Sequence, residues 1–126
     1  MIHASQVMPL LLGACPSAQA TLDAHDAYWR EDKPGVYLDV AAFIHHLIDL
    51  VARKQTDEFP AVFAVVERLI ASGDDETQTI AVVGLLETLQ NNTLNWGWDL
   101  DIFLPWLGPR TRVAWVDLIR DWGSVG

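Results

Sequence analysis

Cysteine, positive charge and long apolar runs are all scarce in this chain, and each scarcity closes off a class of protein. One cysteine, Cys15, among 126 residues cannot close an internal disulfide, so a disulfide-stapled fold is excluded and a reducing compartment is expected. Eight Lys and Arg stand against seventeen Asp and Glu, a formal charge of −9. A surface of that sign repels phosphate backbones, so nucleic acid is not an expected partner. No run approaches the ~18 apolar residues of a membrane span. Catalytic signatures are missing as well. There is no HExxH, no paired Glu-x-x-His, no G-x-S-x-G and no glycine-rich phosphate loop.

What is present is acidity concentrated in one stretch. Between Gln55 and Pro109 lie Asp57, Glu58, Glu67, Asp74, Asp75, Glu76, Glu87, Asp99 and Asp101 against a single base, Arg68. With 51% hydrophobic and 20% charged residues, the length and composition are those of one ordinary globular domain with a real core. At the N-terminus, Met8-Pro9-Leu10-Leu11-Leu12-Gly13-Ala14-Cys15 ends like a lipoprotein signal, and Ala18-Gln19-Ala20 could pass for a signal-peptidase site. The first base is Arg30, however, and Pro9 breaks the apolar run. A secretory signal needs a positive start and a continuous apolar centre. A buried helical cysteine and a cytoplasmic location are therefore expected.

Hydrophobic periodicity reads as helix almost throughout. Residues ~5–14 and ~17–31 form a first pair split at Pro16, with Ser17 as a cap and Leu22 and Trp29 facing inward. After the break at Lys33-Pro34-Gly35, the positions Tyr37, Val40, Ala41, Ile44, Leu47, Ile48 and Val51 mark one face of a helix. Phe59, Val62, Phe63, Val66, Leu69 and Ile70 repeat that pattern, and Pro60 is tolerated in the first turn. Gly73 ends this helix. Asp74-Asp75-Glu76 opens the next, where acids complement the positive end of the helix dipole. From about Asp75 to Gln90 the chain is apolar around most of its girth, as a central helix would be. Thr77, Ala81, Gly84 and Thr88 form a small-residue stripe that invites close approach by a neighbour. A loop holding Asn91-Asn92 and Trp96-Gly97-Trp98, a short helix near Asp101–Leu107 and a final helix near Arg110–Trp122 complete the reading. The expected fold is an all-α, single-domain bundle of six or seven helices, with HEAT-like antiparallel pairs as one form it could take, although no sequence repeat is visible.

Three segments carry a resemblance. Leu69-Ile70-Ala71-Ser72-Gly73-Asp74-Asp75-Glu76-Thr77-Gln78, continuing to Val83-Gly84-Leu85-Leu86-Glu87-Thr88-Leu89-Gln90-Asn91, resembles the central signature of a family of small, acidic, helical bacterial proteins of uncharacterised domain type. Leu107-Gly108-Pro109-Arg110-Thr111-Arg112 with Trp115, and Tyr37-Leu38-Asp39-Val40-Ala41-Ala42-Phe43, are similar to its ending and opening. Together they cover roughly positions 37–122. Such proteins are thought of as immunity proteins beside polymorphic toxins or secreted effectors. The resemblance implies neutralisation of a toxin by binding, and implies no catalytic residue or cofactor.

The remaining candidate residues stand on their own chemistry. His45-His46-x-x-Asp49 places His45 and Asp49 one turn apart, a spacing able to hold a metal, but two ligands are too few and a solvated face shared with Arg53 accounts for them. His25-Asp26 offers still less. Cys15 has no cation nearby in sequence to activate it. The sequence therefore assigns no catalytic and no metal residue, with a small metal-dependent enzyme as a distant third reading behind a helical scaffold or adaptor. The acidic block serves either solubility or docking to a basic toxin surface. A nuclease is the toxin class its sign favours, because the acids could occupy phosphate positions. Trp115 and Trp122 are expected in the core and Trp106 half-buried. Trp96 and Trp98, flanked by acids, have the composition of an interface anchor or of a plug between the last helices. Asp74, Asp75, Glu76, Trp96, Trp98, Asp99 and Asp101 are the expected partner-binding residues.

Overall fold

The computed structural model describes residues 1–125 apart from Arg30, Glu31, Lys33 and Pro34, with side chains described as far as Asp121. The elements are α1 (Val7–Ala14), α2 (Gln19–Trp29), α3 (Val36–Ala52), α4 (Phe59–Ser72), α5 (Asp75–Thr79), α6 (Thr88–Asn95) and α7 (Pro109–Val125). Short 3₁₀ turns occupy Ala4–Gln6, Pro16–Ala18 and Leu100–Trp106, and a π-helical stretch, Ile80–Glu87, joins α5 to α6 without a break. Among the described residues there is no strand, and the fold is all-α. The packing pairs α1 with α4, α4 with α7 and α3 with α6. Because α5, the π-helical stretch and α6 form one continuous rod, α3 packs on the helix two further along, α4 does the same with α7, and α1 closes against α4, giving one all-α bundle.

One apolar cluster runs from Ile2 to Trp115 and draws on α1 to α4, α6, α7 and the π-helical stretch. At its centre five aromatic rings interlock: Phe59 stands 5.0 Å from Trp106 and 5.9 Å from Phe63, and Phe103 lies 5.9 Å from Trp115. Fully burying one such ring is worth roughly 1.5–3 kcal/mol, so this knot is a large share of the driving force. Trp115 is buried and Trp106 half-buried, as expected, while the side chain of Trp122 lies outside the described residues. The small-residue stripe also packs as its composition predicts. A Cβ on Gly84 would lie 3.0 Å from Val40 Cγ2 and 3.4 Å from Tyr37 Cδ1, so α3 approaches the π-helical stretch where the side chain is missing.

Two glutamates, Glu58 at the start of α4 and Glu67 within it, fasten other helices to that element. Glu67 accepts from the Arg110 N–H at 3.2 Å, the Thr111 N–H at 2.9 Å and the Thr111 hydroxyl at 2.8 Å, capping α7. Glu58 accepts from the Ser17 N–H at 3.1 Å and from the Ser17 hydroxyl, anchoring the turn that leads into α2. The sequence makes Ser17 the cap itself. Instead Ser17 donates both its protons to a carboxylate from elsewhere in the chain.

Candidate functional site

Two helix ends frame the most conspicuous surface feature. Helix α3 finishes with Lys54 in the left-handed region, φ 59°, where Lys54 N–H donates to Val51 O at 3.0 Å and Gln55 N–H to Leu50 O at 2.8 Å. Helix α6 finishes the same way with Gly97, φ 76°: Gly97 N–H donates to Leu94 O at 2.9 Å and Trp98 N–H to Thr93 O at 3.0 Å. Both are Schellman caps, which satisfy the last carbonyls of a helix by turning the chain through a left-handed residue. Glycine adopts that conformation without penalty. Lysine does so at a cost of roughly 1–2 kcal/mol.

The turn at Gly97 brings Trp96 and Trp98 onto one side, stacked with ring centroids 4.9 Å apart and planes 27° from parallel. Trp96 remains 57% exposed, whereas Trp98 is half-buried against the core. Below the pair, Val51, Ala52, Lys54, Trp98, Asp99 and Ile102 line an open, mainly apolar groove of about 390 Å³. Leu94, also exposed, extends the apolar surface along α6. Asp99 accepts from the Asp101 N–H at 2.8 Å and so starts the following 3₁₀ turn, while the Asp101 side chain is exposed. Of the seven expected partner-binding residues, Trp98 and Asp99 line this groove, Trp96 stacks on Trp98, and the Asp101 backbone is hydrogen-bonded to Asp99.

The other three lie elsewhere. Asp74 caps α5, accepting from Thr77 N–H at 2.8 Å, and its other oxygen meets His3 Nδ1 at 3.0 Å. Hydrogen bonds from Thr77 and from His3 hold its carboxyl down at about 2. Ile2 N–H to Ser72 O at 2.8 Å and Asp74 N–H to Ile2 O at 2.9 Å clip the N-terminal segment onto the same corner. Asp75 and Glu76 are exposed at the start of the rod that ends at Trp96. At a rise of ~1.5 Å per residue, the helix from Asp75 to Asn95 spans roughly 30 Å. The acidic triplet and the tryptophan pair thus stand at opposite ends of one rod and do not form one compact site.

Sequence reasoning misses the groove because it places Asn91-Asn92 in a loop, whereas the helix continues to Asn95. The available signal is Gly97 as a helix stop, with Thr93 and Leu94 still in helical register. His46 is missed in another way. Periodicity sets it on a solvated face with His45, Asp49 and Arg53, of which the last two form an exposed ion pair at 3.1 Å. Instead His46 is partly covered, with Nε2 2.8 Å from Ser17 Oγ and Nδ1 3.2 Å from Thr21 Oγ1.

A serine against a histidine suggests a nucleophile and its base, but the protons run the wrong way. Partial burial pushes the Glu58 carboxyl up, yet the hydrogen bonds from Ser17, with Cys15 and His46 adding to them, bring it below its ordinary value. Glu58 is therefore ionised and takes the Ser17 hydroxyl proton. Burial lowers the His46 pKa, against the opposing charges of Glu58 and Asp49. A neutral His46 donates to Ser17 Oγ and accepts from Thr21, so it is not poised to remove the serine proton. The neighbouring Cys15 is buried, and desolvation raises its pKa despite the Ser17 contact, keeping it a thiol.

These features define the class: an all-helical bundle with its helix starts tied by carboxylates and, among the described residues, no helix long and apolar enough to cross a membrane. The chain belongs to the family described as a domain of unknown function, DUF7674, whose sequence model matches residues 8–123. No curated protein and no solved structure matches it.

Proposed function

We propose that this chain is a non-enzymatic, cytoplasmic immunity-type protein of bacteria that binds a cognate toxin or effector domain and occludes its active site. The observation that carries this reading is the exposed Trp96 stacked on half-buried Trp98 at the edge of an apolar groove, beside two left-handed helix caps. An exposed large aromatic at a rigid turn loses little entropy on binding, and tryptophan is the residue most enriched among interface anchors. A non-glycine residue in the left-handed region is a second sign, since such strain persists where the surrounding structure enforces it and gathers at binding sites. Asp99 and Asp101 beside the groove favour a basic partner surface, such as the substrate cleft of a nuclease.

The test begins with a tagged pull-down from the native host at low and moderate salt. The expected result is one stoichiometric partner that is toxic when expressed alone and harmless when this chain is co-expressed. Against that partner, Trp96→Ala should weaken binding at least about tenfold, the scale of an interface hot spot, with the melting temperature nearly unchanged. Retained affinity in Trp96→Ala, or rescue that persists without any complex, would remove the groove from the interface. Trp98→Ala is the less clean probe because the ring also packs on the core.

A further inference from the structure

We propose that His25, Asp26 and Asp39 form a binding site for a divalent transition-metal cation that ties α2 to α3. His25 and Asp26 lie on α2, which runs to Trp29, and Asp39 lies in the first turn of α3, which begins at Val36. One ligand atom from each residue falls within 4.8 Å of the other two. His25 Nε2 and Asp39 Oδ1 are 3.1 Å apart. Two donors bound at about 2.0–2.2 Å on one tetrahedral or octahedral ion sit roughly 3.0–3.5 Å from each other, so this pair already has the spacing of neighbouring ligands. Asp26 is exposed and accepts no hydrogen bond from any described residue. One of its carboxylate oxygens already lies within 4.8 Å of the donors from His25 and Asp39.

The donor set also selects the ion. Two carboxylates and one imidazole nitrogen form a mixed oxygen and nitrogen donor set of the kind that holds a divalent transition-metal cation. Imidazole nitrogen favours zinc, cobalt or nickel over the oxygen-seeking calcium and magnesium. Three protein ligands on a partly open edge leave the remaining positions to water. In the unfolded chain Asp39 is thirteen residues away from Asp26, so the ion binds the folded form preferentially and raises its stability by mass action. His25-Asp26 looks weak in sequence because the third donor comes from the next helix.

The experiment uses the full chain stripped with a chelator, titrated separately with zinc and calcium and followed by calorimetry and thermal melting. One equivalent of zinc is expected to bind saturably and raise the melting temperature by several degrees, with no response to calcium. Asp26→Asn, which removes a charge without a described structural bond, should weaken zinc binding by about tenfold or more, since it alters one of three ligands. His25→Gln should do the same, while His45→Gln should leave binding unchanged. Absence of saturable zinc binding overturns the proposal. So does zinc binding that survives both Asp26→Asn and His25→Gln, or that is lost in His45→Gln, because the ion would then sit elsewhere.

Discussion

Single residues here carry strain and charge that can be read out separately. Lys54 closes α3 in a conformation that favours glycine, and Lys54→Gly removes the Cβ penalty, so chemical denaturation should show a gain of about 1 kcal/mol. If the groove meets a basic toxin surface, the same substitution should also tighten the complex modestly, because it removes the base that lines the groove. Asp74 gives a pH signature. Its carboxyl titrates at about 2 in the folded chain against an ordinary 3.8, so the folded state binds fewer protons than the unfolded state between those values. The stabilisation is complete above the unfolded value and is lost as pH falls through the folded one. Asp74→Asn keeps a capping side chain. It should therefore melt only modestly lower at neutral pH, but show a flatter dependence of stability on pH between about 4 and 2 than the parent.

At the scale of elements, the resembling motifs turn out to be joints. Ser72-Gly73-Asp74 pairs with Ile2 and caps α5. A Cβ on Gly73 would run into Leu69 O and lie 2.7 Å from Thr77 Cγ2. Because one obstacle is backbone, Gly73→Ala cannot be relieved by a rotamer change, and a loss of about 1–3 kcal/mol in denaturant unfolding is expected. Gly108-Pro109-Arg110-Thr111 is the complementary joint at α7, where a Cβ on Gly108 would stand 2.5 Å from the Glu67 oxygen that caps the helix. The long helices were legible in sequence because their apolar faces repeat at ~3.6 residues and their starts carry Pro60 and Asp74. Less was legible where the cause is distant in the chain. Nothing local to Ser17 announces Glu58, and nothing local to Thr111 announces Glu67. Likewise the continuation of α6 through Asn91-Asn92 rests on packing, with Gln90 and Thr93 buried and Gln90 Nε2 donating to Trp115 O at 3.1 Å. Tertiary contact there overrides a weak helix propensity.

For the molecule as a whole, the question is which acidic end meets the partner. Of the nine acids of the block, Glu58, Glu67, Asp74 and Asp99 cap helix starts or turns, Asp57, Asp75, Glu76 and Asp101 stand in solvent, and Glu87 is half-buried. Only the solvent-exposed acids can be substituted without loosening the fold, so they are the ones that test docking. Asp101 is hydrogen-bonded through its N–H to Asp99, which lines the tryptophan groove, whereas Glu76 lies roughly 30 Å along the rod. At physiological salt the screening length is about 8 Å, so a charge that far away contributes little at the groove. Asp101→Lys and Glu76→Lys make the same change in net charge and differ only in position. Measured against the cognate toxin at about 0.15 M salt, Asp101→Lys should slow association several-fold and reduce its salt dependence. Glu76→Lys should approach that effect only at low ionic strength, where the field of the whole protein steers the encounter. A larger effect from Glu76→Lys would move the interface to the opposite end, where Asp75, Gln78, Thr79, Val82 and the exposed Val83 line a second concave surface, and the tryptophan pair would then be a plug for the last helices.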